Sequence, residues 1–254
     1  MCLIAFRFQD HPKYKLILAA NRDEFYARPT APADFWTDEP TILAGRDLQG
    51  HGTWLGVSKE GRIAALTNYR APAHMAAGKK TRGAIVRDFL MSSDSPAEYM
   101  AKLVPEDYAG FNFLCGSADE LFYFNNVDGH SETVSPGVHA LSNAFLNTPW
   151  PKVEKAKVSM KTITEQNGQI NPDELFGIMA DADQAHETTL PDTGVGLELE
   201  RSLSSLFIRL PDYGTRCSTV LLVENDGTLH FAERRYEEGE KVGENHYMLQ
   251  TPSI

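Results

Sequence analysis

The chain has few cysteines, no long apolar run and no excess of positive charge, and each shortage removes a class of function. Three cysteines in 254 residues, Cys2, Cys115 and Cys217, are an odd number at wide spacing. They offer neither a disulfide framework nor a zinc knuckle, and reduced thiols are the simplest inference. No stretch approaches the roughly 18 consecutive apolar residues of a membrane span, and the N-terminus lacks the basic flank and apolar core of a secretory signal, so a cytoplasmic location is expected. A formal charge of −11, from 35 acidic and 24 basic residues, argues against nucleic acid and against an anionic membrane surface, both of which want a basic patch. The eight histidines, His11, His51, His74, His130, His139, His186, His230 and His246, are scattered, with no His-x-x-x-His or Cys-x-x-Cys pairing. A preformed zinc site is therefore not expected. Neither a Gly-x-Gly-x-x-Gly nor a phosphate-binding loop is present, which leaves dinucleotide and nucleoside triphosphate chemistry without footing.

What is present reads as one large globular domain over residues 1–254, since 42% hydrophobic content supports a sizeable core and no stretch resembles a linker. Leu3 to Phe8 and Lys15 to Ala20 are apolar runs around a polar turn with Pro12, a predicted antiparallel hairpin in a strand that opens at Met1. Thr53 to Ser58 and Arg62 to Asn68 flank Lys59-Glu60-Gly61 as a second hairpin, and Phe111 to Cys115 with Leu121 to Asn125 make a third. His139 to Ser142 is a further short strand, and Thr219 to Glu224 with Thr228 to Ala232 form a last pair about Asn225-Asp226-Gly227. Helical spacing covers Arg82 to Met91, Pro151 to Asn167 and Pro172 to Ala180, and Ser95-Pro96 with Glu98 announces another helix to Leu103 through its cap. Residues 27–50, rich in Pro, Thr, Asp and Gly, read as an ordered loop, and Glu237-Glu238-Gly239-Glu240 as a solvated segment. Strand pairs and helices in separate blocks suit antiparallel sheets covered by helix layers, an α+β class.

Cys2 is the residue of greatest chemical interest. If Met1 is removed, it presents a thiol nucleophile and a free α-amino group able to take the thiol's proton. An unperturbed thiol, with a pKa of roughly 8.5, is only a few per cent thiolate at neutral pH, whereas an α-amine near 8 acts without a separate histidine. Cys2 on its own also fits a small hydrophobe buried at a strand start. Asn21-Arg22-Asp23-Glu24 falls where the second strand of the opening hairpin is expected to end, near Cys2. A guanidinium there lowers a thiol pKa, and a carboxylate fixes the α-ammonium. Asn68 and Asn143 each stand in a polar tail that breaks an apolar run, where an amide N–H is a candidate oxyanion donor and where turn residues are also common. Strand alternation gives Arg216, Ser218 and Val220 one face and Cys217 and Thr219 the other, so Cys217 reads as packing.

Cys2, Asn21-Arg22-Asp23-Glu24, Ala44-Gly45-Arg46-Asp47-Leu48, Gly52-Thr53-Trp54-Leu55-Gly56, Thr67-Asn68-Tyr69-Arg70, Ser142-Asn143, Asn147 to Lys152 and Thr215 to Val220 together resemble the NRDE, or TANGO2-like (transport and Golgi organisation 2), family. The resemblance spans residue 2 to about 235. That family is similar to N-terminal-nucleophile hydrolases, and within them to cysteine amidohydrolases such as bile salt hydrolases. The resemblance implies a four-layer αββα sandwich of antiparallel sheets, with Cys2 as nucleophile and Asn68 and Asn143 near the oxyanion site. It also implies Arg22 and Asp23 attending the nucleophile, and Arg216 as a second arginine. The hydrolases separate that arginine and aspartate by two residues, whereas Arg22 and Asp23 are adjacent, which leaves Glu24 as a competing carboxylate.

Two functions follow as expectations. The first is hydrolysis of a linear amide or thioester through a Cys2 acyl-enzyme, which needs no cofactor. The second is a non-enzymatic carrier of haem or of an acyl-CoA or lipid ligand, which wants an apolar pocket and an accessible axial ligand. A purely scaffolding protein is a third, disfavoured because polar residues cluster at strand ends for no packing purpose.

Overall fold

The computed structural model describes residues 2–72, 79–165 and 168–252; Met1, His74 and Asn167, named above, lie outside them. The chain opens with six strands, β1 (Cys2–Phe8), β2 (Tyr14–Phe25), β3 (Thr30–Phe35), β4 (Ile42–Asp47), β5 (Leu55–Ser58) and β6 (Ile63–Asn68). Helices α1 (Gly83–Met91) and α2 (Pro96–Lys102) follow, then β7 (Phe111–Gly116), β8 (Leu121–Asn125), β9 (Ser131–Thr133) and β10 (Gly137–Leu141). Helices α3 (Pro151–Thr164), α4 (Pro172–Met179) and α5 (Leu197–Ser202) precede the closing strands β11 (Tyr213–Glu224), β12 (Thr228–Glu237) and β13 (Glu240–Gln250). Two antiparallel sheets result, one ordered β10-β1-β2-β11-β12-β13 and the other β3-β4-β5-β6-β7-β8-β9.

The period of two along β1 builds the layers. Ile4, Phe6 and Phe8 point to the seam between the sheets, where they meet Leu43, Leu55, Val57 and Leu114. Leu3 and Ala5 point the other way, under α3 and α4, against Val153, Ala156 and Leu175. On the far side of the second sheet α1 lays Ile85, Val86, Phe89 and Leu90 over Ile42, Ala64 and Phe113. The architecture is the four-layer αββα sandwich. The cap at Ser95 is formed: its hydroxyl accepts from the Glu98 backbone N–H and the Glu98 carboxylate accepts from the Ser95 N–H. No helix among the described residues is long and apolar enough to cross a membrane.

Two readings are corrected. Residues 27–50 are not a loop but hold β3 and β4, paired with an irregularity between Ala31 and Asp34. That irregularity accommodates Pro32, which lacks a ladder donor and so hid the strand. Glu237 to Glu240 is solvated as expected, with Glu237, Glu238 and Glu240 exposed, and makes the turn from β12 into β13, with Glu238 and Gly239 at positive φ. Strand β13 is an edge, its charged, mostly exposed residues blunting further pairing. Strand β2, expected from the apolar run Lys15 to Ala20, continues through Asn21 to Glu24 and ends at Phe25.

The seam is not wholly apolar. Asn112, fully buried, donates to the Thr67 hydroxyl at 3.0 Å and accepts from the Tyr123 hydroxyl at 2.8 Å and the Asn125 amide at 2.5 Å. Thr67 passes its own proton to the Ser142 carbonyl beyond β10, so the chain of bonds ties one sheet to the other at the Cys2 end. Truncating Asn112 strands several buried partners at once. Asn112→Ala should lower the unfolding free energy by about 2–4 kcal/mol in urea titration; a loss below about 0.5 kcal/mol would show the network to be dispensable.

Candidate functional site

Strand register assembles the site. Cys2 stands opposite Arg22 on β2, and Arg22 stands opposite Cys217 on β11, so the three share the face toward the second sheet. Leu3, Asn21 and Ser218 form the next row, facing the helices. Consecutive residues of β2 therefore do different work. Asn21 donates to the carbonyls of Met179 and Leu206 and accepts from Ser218, pinning the strand to the end of α4. Arg22, 4% exposed, stacks on Trp54 at 4.3 Å, donates to the Thr30 hydroxyl at 3.0 Å and lies 3.9 Å from Glu24. Asp23, on the opposite face, accepts from the Thr215 hydroxyl at 2.7 Å. Glu24 sits between Arg22 and Arg28, and Arg28 pairs with Asp47 at 2.6 Å. This burial of polar groups is what made β2 look shorter than it is.

A cleft of about 370 Å³ opens on this row and is lined by Cys2, Arg22, Asp23, Trp54, Asn68 and Arg82 among others. Two glycines give it its shape. A Cβ on Gly45 would run into the Trp54 ring, and one on Gly52 would run into the backbone of Gly83, so both allow close approach beside the cleft. Cys2 is half-buried, while Cys115 and Cys217 are buried. Burial pushes the Cys2 thiol up and Asp23 adds to that; Arg22 and the Asp23 backbone N–H pull it down. Burial likewise raises the Asp23 carboxyl, against Lys152, the Thr215 hydroxyl and Arg70. Cys115 is pushed by burial to about 12, and burial raises Cys217 as well, with Glu233 adding to it.

Asn68 lines the cleft at the end of β6. Asn143 is fully buried behind it: its amide donates to the Asn68 carbonyl at 2.9 Å, and its Oδ1 accepts from Ser142, Arg70 and Lys152. Arg216 is not brought to the cleft. The β2–β11 register shifts between Thr215 and Cys217, which throws Arg216 out of alternation. Its guanidinium donates to the carbonyls of Phe25, Tyr26 and Arg28 and so braces the turn after β2. It lines a separate cavity of about 90 Å³ with Thr30 and Glu233.

Several residues near Cys2 escaped pattern reading. Lys152, in the first turn of α3, is 3% exposed, with Asn143 Oδ1 at 3.5 Å. Burial brings its ammonium down to about 7, helped by Arg70 and opposed by Asp23, Cys2 and Glu200. Arg70 and Glu200 form a buried pair at 2.7 Å, and Glu200 also accepts from the Thr193 N–H. The sequence held one signal: Lys152 falls on the buried stripe Lys152, Ala156, Met160 of α3, where an apolar residue belongs. Arg82, just before α1, is lowered by burial and raised by Cys2 and Glu24. Among the described residues no cluster of three or more His, Cys, Asp or Glu is placed to hold a metal ion.

The Lys152 shift has a thermodynamic sign. Between about 7 and the ordinary lysine value of about 10.4, the unfolded chain binds a proton that the folded one lacks, so stability rises with pH across that window. In urea titrations at pH 7.0 and 9.5 the wild type should gain on the order of 2 kcal/mol more than Lys152→Met; parallel profiles would contradict the buried, easily neutralised amine.

The family model described as Transport and Golgi organisation 2 matches residues 1–238. A Transport and Golgi organization protein 2 homolog from Bos taurus is 39% identical over 92% of both chains, and one from Homo sapiens is 37% identical over the same share. The Drosophila melanogaster Transport and Golgi organization protein 2 is 30% identical over 92% of this chain and 91% of its own. Two solved structures share the fold at low identity. The C2A mutant of conjugated bile acid hydrolase from Clostridium perfringens has a TM-score of 0.56 and 9% identity over 99% of this chain and 98% of its own. The Caenorhabditis elegans ortholog of N-acylethanolamine-hydrolyzing acid amidase has a TM-score of 0.51 and 8% identity over 86% and 92%. A family model covering nearly the whole length, together with relatives this similar over most of both chains, makes the chain a member of the Transport and Golgi organisation 2 family.

Proposed function

We propose that the protein hydrolyses a linear amide or thioester through a Cys2 acyl-enzyme. The observation that carries this reading is the half-buried Cys2 opposite Arg22 at the head of a cleft that Asp23 and Asn68 also line. The shared fold with an acid amidase and a conjugated bile acid hydrolase supports it. In this scheme Met1 is removed and the α-amine of Cys2 takes the thiol proton as the sulfur attacks the substrate carbonyl. The Asn68 side chain donates to the oxyanion, and Asn143, bonded to the Asn68 backbone, holds that residue in place. Collapse breaks the C–N or C–S bond, and the leaving group departs with the proton from the α-ammonium. Water, deprotonated by the same amine, then attacks the thioester, releasing the acid and restoring the thiol. Arg22 stabilises negative charge on sulfur, and Asp23 orients the α-amine.

The carrier reading draws on a different place, an apolar groove of about 250 Å³ lined by Ile170, Val220, Leu222, His230, His246 and Met248. Both imidazoles there already face carboxylates, His230 with Glu224 at 3.1 Å and His246 with Glu244 at 2.6 Å. That competition is why hydrolysis is placed first.

Intact mass of the purified protein should show loss of Met1, and an electrophilic probe should label Cys2 before Cys115 or Cys217. Against a panel of linear amides and acyl thioesters, Cys2→Ala should abolish turnover, and Asn68→Ala should lower kcat on the order of 10²-fold. Retention of Met1, or first labelling of a buried cysteine, would sink the mechanism.

A further inference from the structure

Ser142 and Asn143, the two residues that follow β10, hold on to both sheets at the Cys2 end of the sandwich. Ser142 is 1% exposed and Asn143 fully buried, so their hydrogen bonds are shielded from water. Toward the first sheet, the Ser142 hydroxyl lies 3.2 Å from the Cys2 carbonyl. Toward the second, the Ser142 carbonyl accepts from the Thr67 hydroxyl at 2.5 Å, and the Asn143 amide donates to the Asn68 carbonyl at 2.9 Å. The Asn143 carbonyl accepts from the Arg70 N–H at 2.7 Å. Thr67 and Asn68 are the last residues of β6, so one dipeptide clasps the nucleophile strand to the strand that ends in the proposed oxyanion donor.

Strand pairing alone does not fix Cys2 on both flanks. The β1–β10 ladder begins at Ile4 opposite Leu141 and does not reach Cys2, whereas β2 pairs with it through Arg22. The Ser142 side chain supplies a contact where the β10 ladder has ended. Its single proton has two acceptors at 3.2 Å, the Cys2 carbonyl and Asn143 Oδ1. Arg70 at 3.4 Å and Lys152 at 3.5 Å also donate to the Asn143 oxygen, whereas among the described residues no other side chain donates to the Cys2 carbonyl. The Cys2 carbonyl is therefore the acceptor that depends on Ser142.

We propose that Ser142 is a positioning residue that sets the Cys2 nucleophile against the Asn68 oxyanion donor, binding the Cys2 carbonyl through its hydroxyl while its own carbonyl is tied to Thr67. The inference rests on the acyl-enzyme reading, in which a reacting carbonyl lies about 3 Å from nucleophile and donor at once. Cys2 and Asn68 both line the cleft but belong to different sheets, so no strand register sets the distance between them. A contact that spans the two sheets has to do so. Ser142 is not among the residues that line the cleft, and its effect travels through the Cys2 backbone.

Two probes separate placement from thiol reactivity. Iodoacetamide needs only the thiolate, whereas p-nitrophenyl acetate must pass through a tetrahedral oxyanion. The full chain is treated with each; alkylation of Cys2 is followed by peptide mass, and acylation by release of p-nitrophenolate less that of Cys2→Ala. Ser142→Ala should lower the Cys2-dependent release at least about tenfold, while the alkylation rate stays within about threefold and its pH midpoint within about 0.3 unit. Thr67→Val, which opens the clasp from β6, should act in the same way, and Thr67→Ser, which keeps the hydroxyl, should not. The Thr67 pair carries the test if Ser142→Ala does not fold. Release that falls no further than alkylation, or an equal fall in Thr67→Ser and Thr67→Val, overturns the role of Ser142 and leaves the acyl-enzyme reading standing. Absence of Cys2-dependent release from the wild type removes both together, which keeps the two failures distinct.

Discussion

Arg22 is the residue on which the arrangement at the Cys2 end of the sandwich depends. A guanidinium that is 4% exposed, on the face where two sheets meet, is unfavourable unless its charge and its five N–H groups are answered. The answers come from separate parts of the chain: the Trp54 ring at 4.3 Å, the Thr30 hydroxyl, the Glu24 carboxylate and the sulfur of Cys2 in the same row. Each of these has its own requirement. Trp54 reaches Arg22 because residue 45 is a glycine, and Thr30 is present because β3 runs where the composition suggested a loop. The segments that carry Cys2, Glu24, Thr30, Gly45 and Trp54 are thus parts that bury one cation beside one thiol.

The four consecutive residues Asn21 to Glu24 divide their roles by the geometry of a strand. Alternation sends Asn21 and Asp23 toward the helix layer and Arg22 toward the other sheet. Asn21 is structural, tying β2 to the end of α4 and the Leu206 carbonyl. Arg22 faces the thiol side chain, and Asp23 belongs to the cluster of Lys152, Arg70 and Glu200. The adjacency of Arg22 and Asp23, which looked like a departure from the hydrolases, puts one charge on each side of the strand. Among the three cysteines, burial raises the thiols of Cys115 and Cys217, which are buried, as well as that of Cys2, which is half-buried and lines the cleft.

Much of the fold was legible because most elements obey one simple period. The hairpins β1–β2, β5–β6, β7–β8 and β11–β12 are apolar runs around polar turns, and α1 to α4 carry either an apolar stripe or a Ser-Pro or Asn-Pro start. What stayed hidden breaks a period for a tertiary reason. Strand β3 carries Pro32 in an irregular register, β13 is a charged edge, and the polar end of β2 is buried by partners more than a hundred residues away. Of the candidate site, Cys2, Arg22, Asp23 and Asn68 were legible as residues that share one place, since all four line the same cleft. It was not legible at Arg216, where a single irregular residue pair breaks the expected alternation, nor at Lys152, whose one local signal, a lysine on the apolar stripe of α3, says nothing of the buried polar groups it meets.

The Arg22 guanidinium should act on the Cys2 sulfur, which it faces in the same row. The most direct measurement is the pH dependence of Cys2 alkylation by iodoacetamide, mapped by peptide mass, in the wild type and in Arg22→Met. Loss of the guanidinium should move the alkylation midpoint of Cys2 to higher pH and slow labelling at pH 7, with Cys115 unaffected. An unchanged or lower midpoint in Arg22→Met would contradict the account, since it would mean that the buried cation serves packing alone.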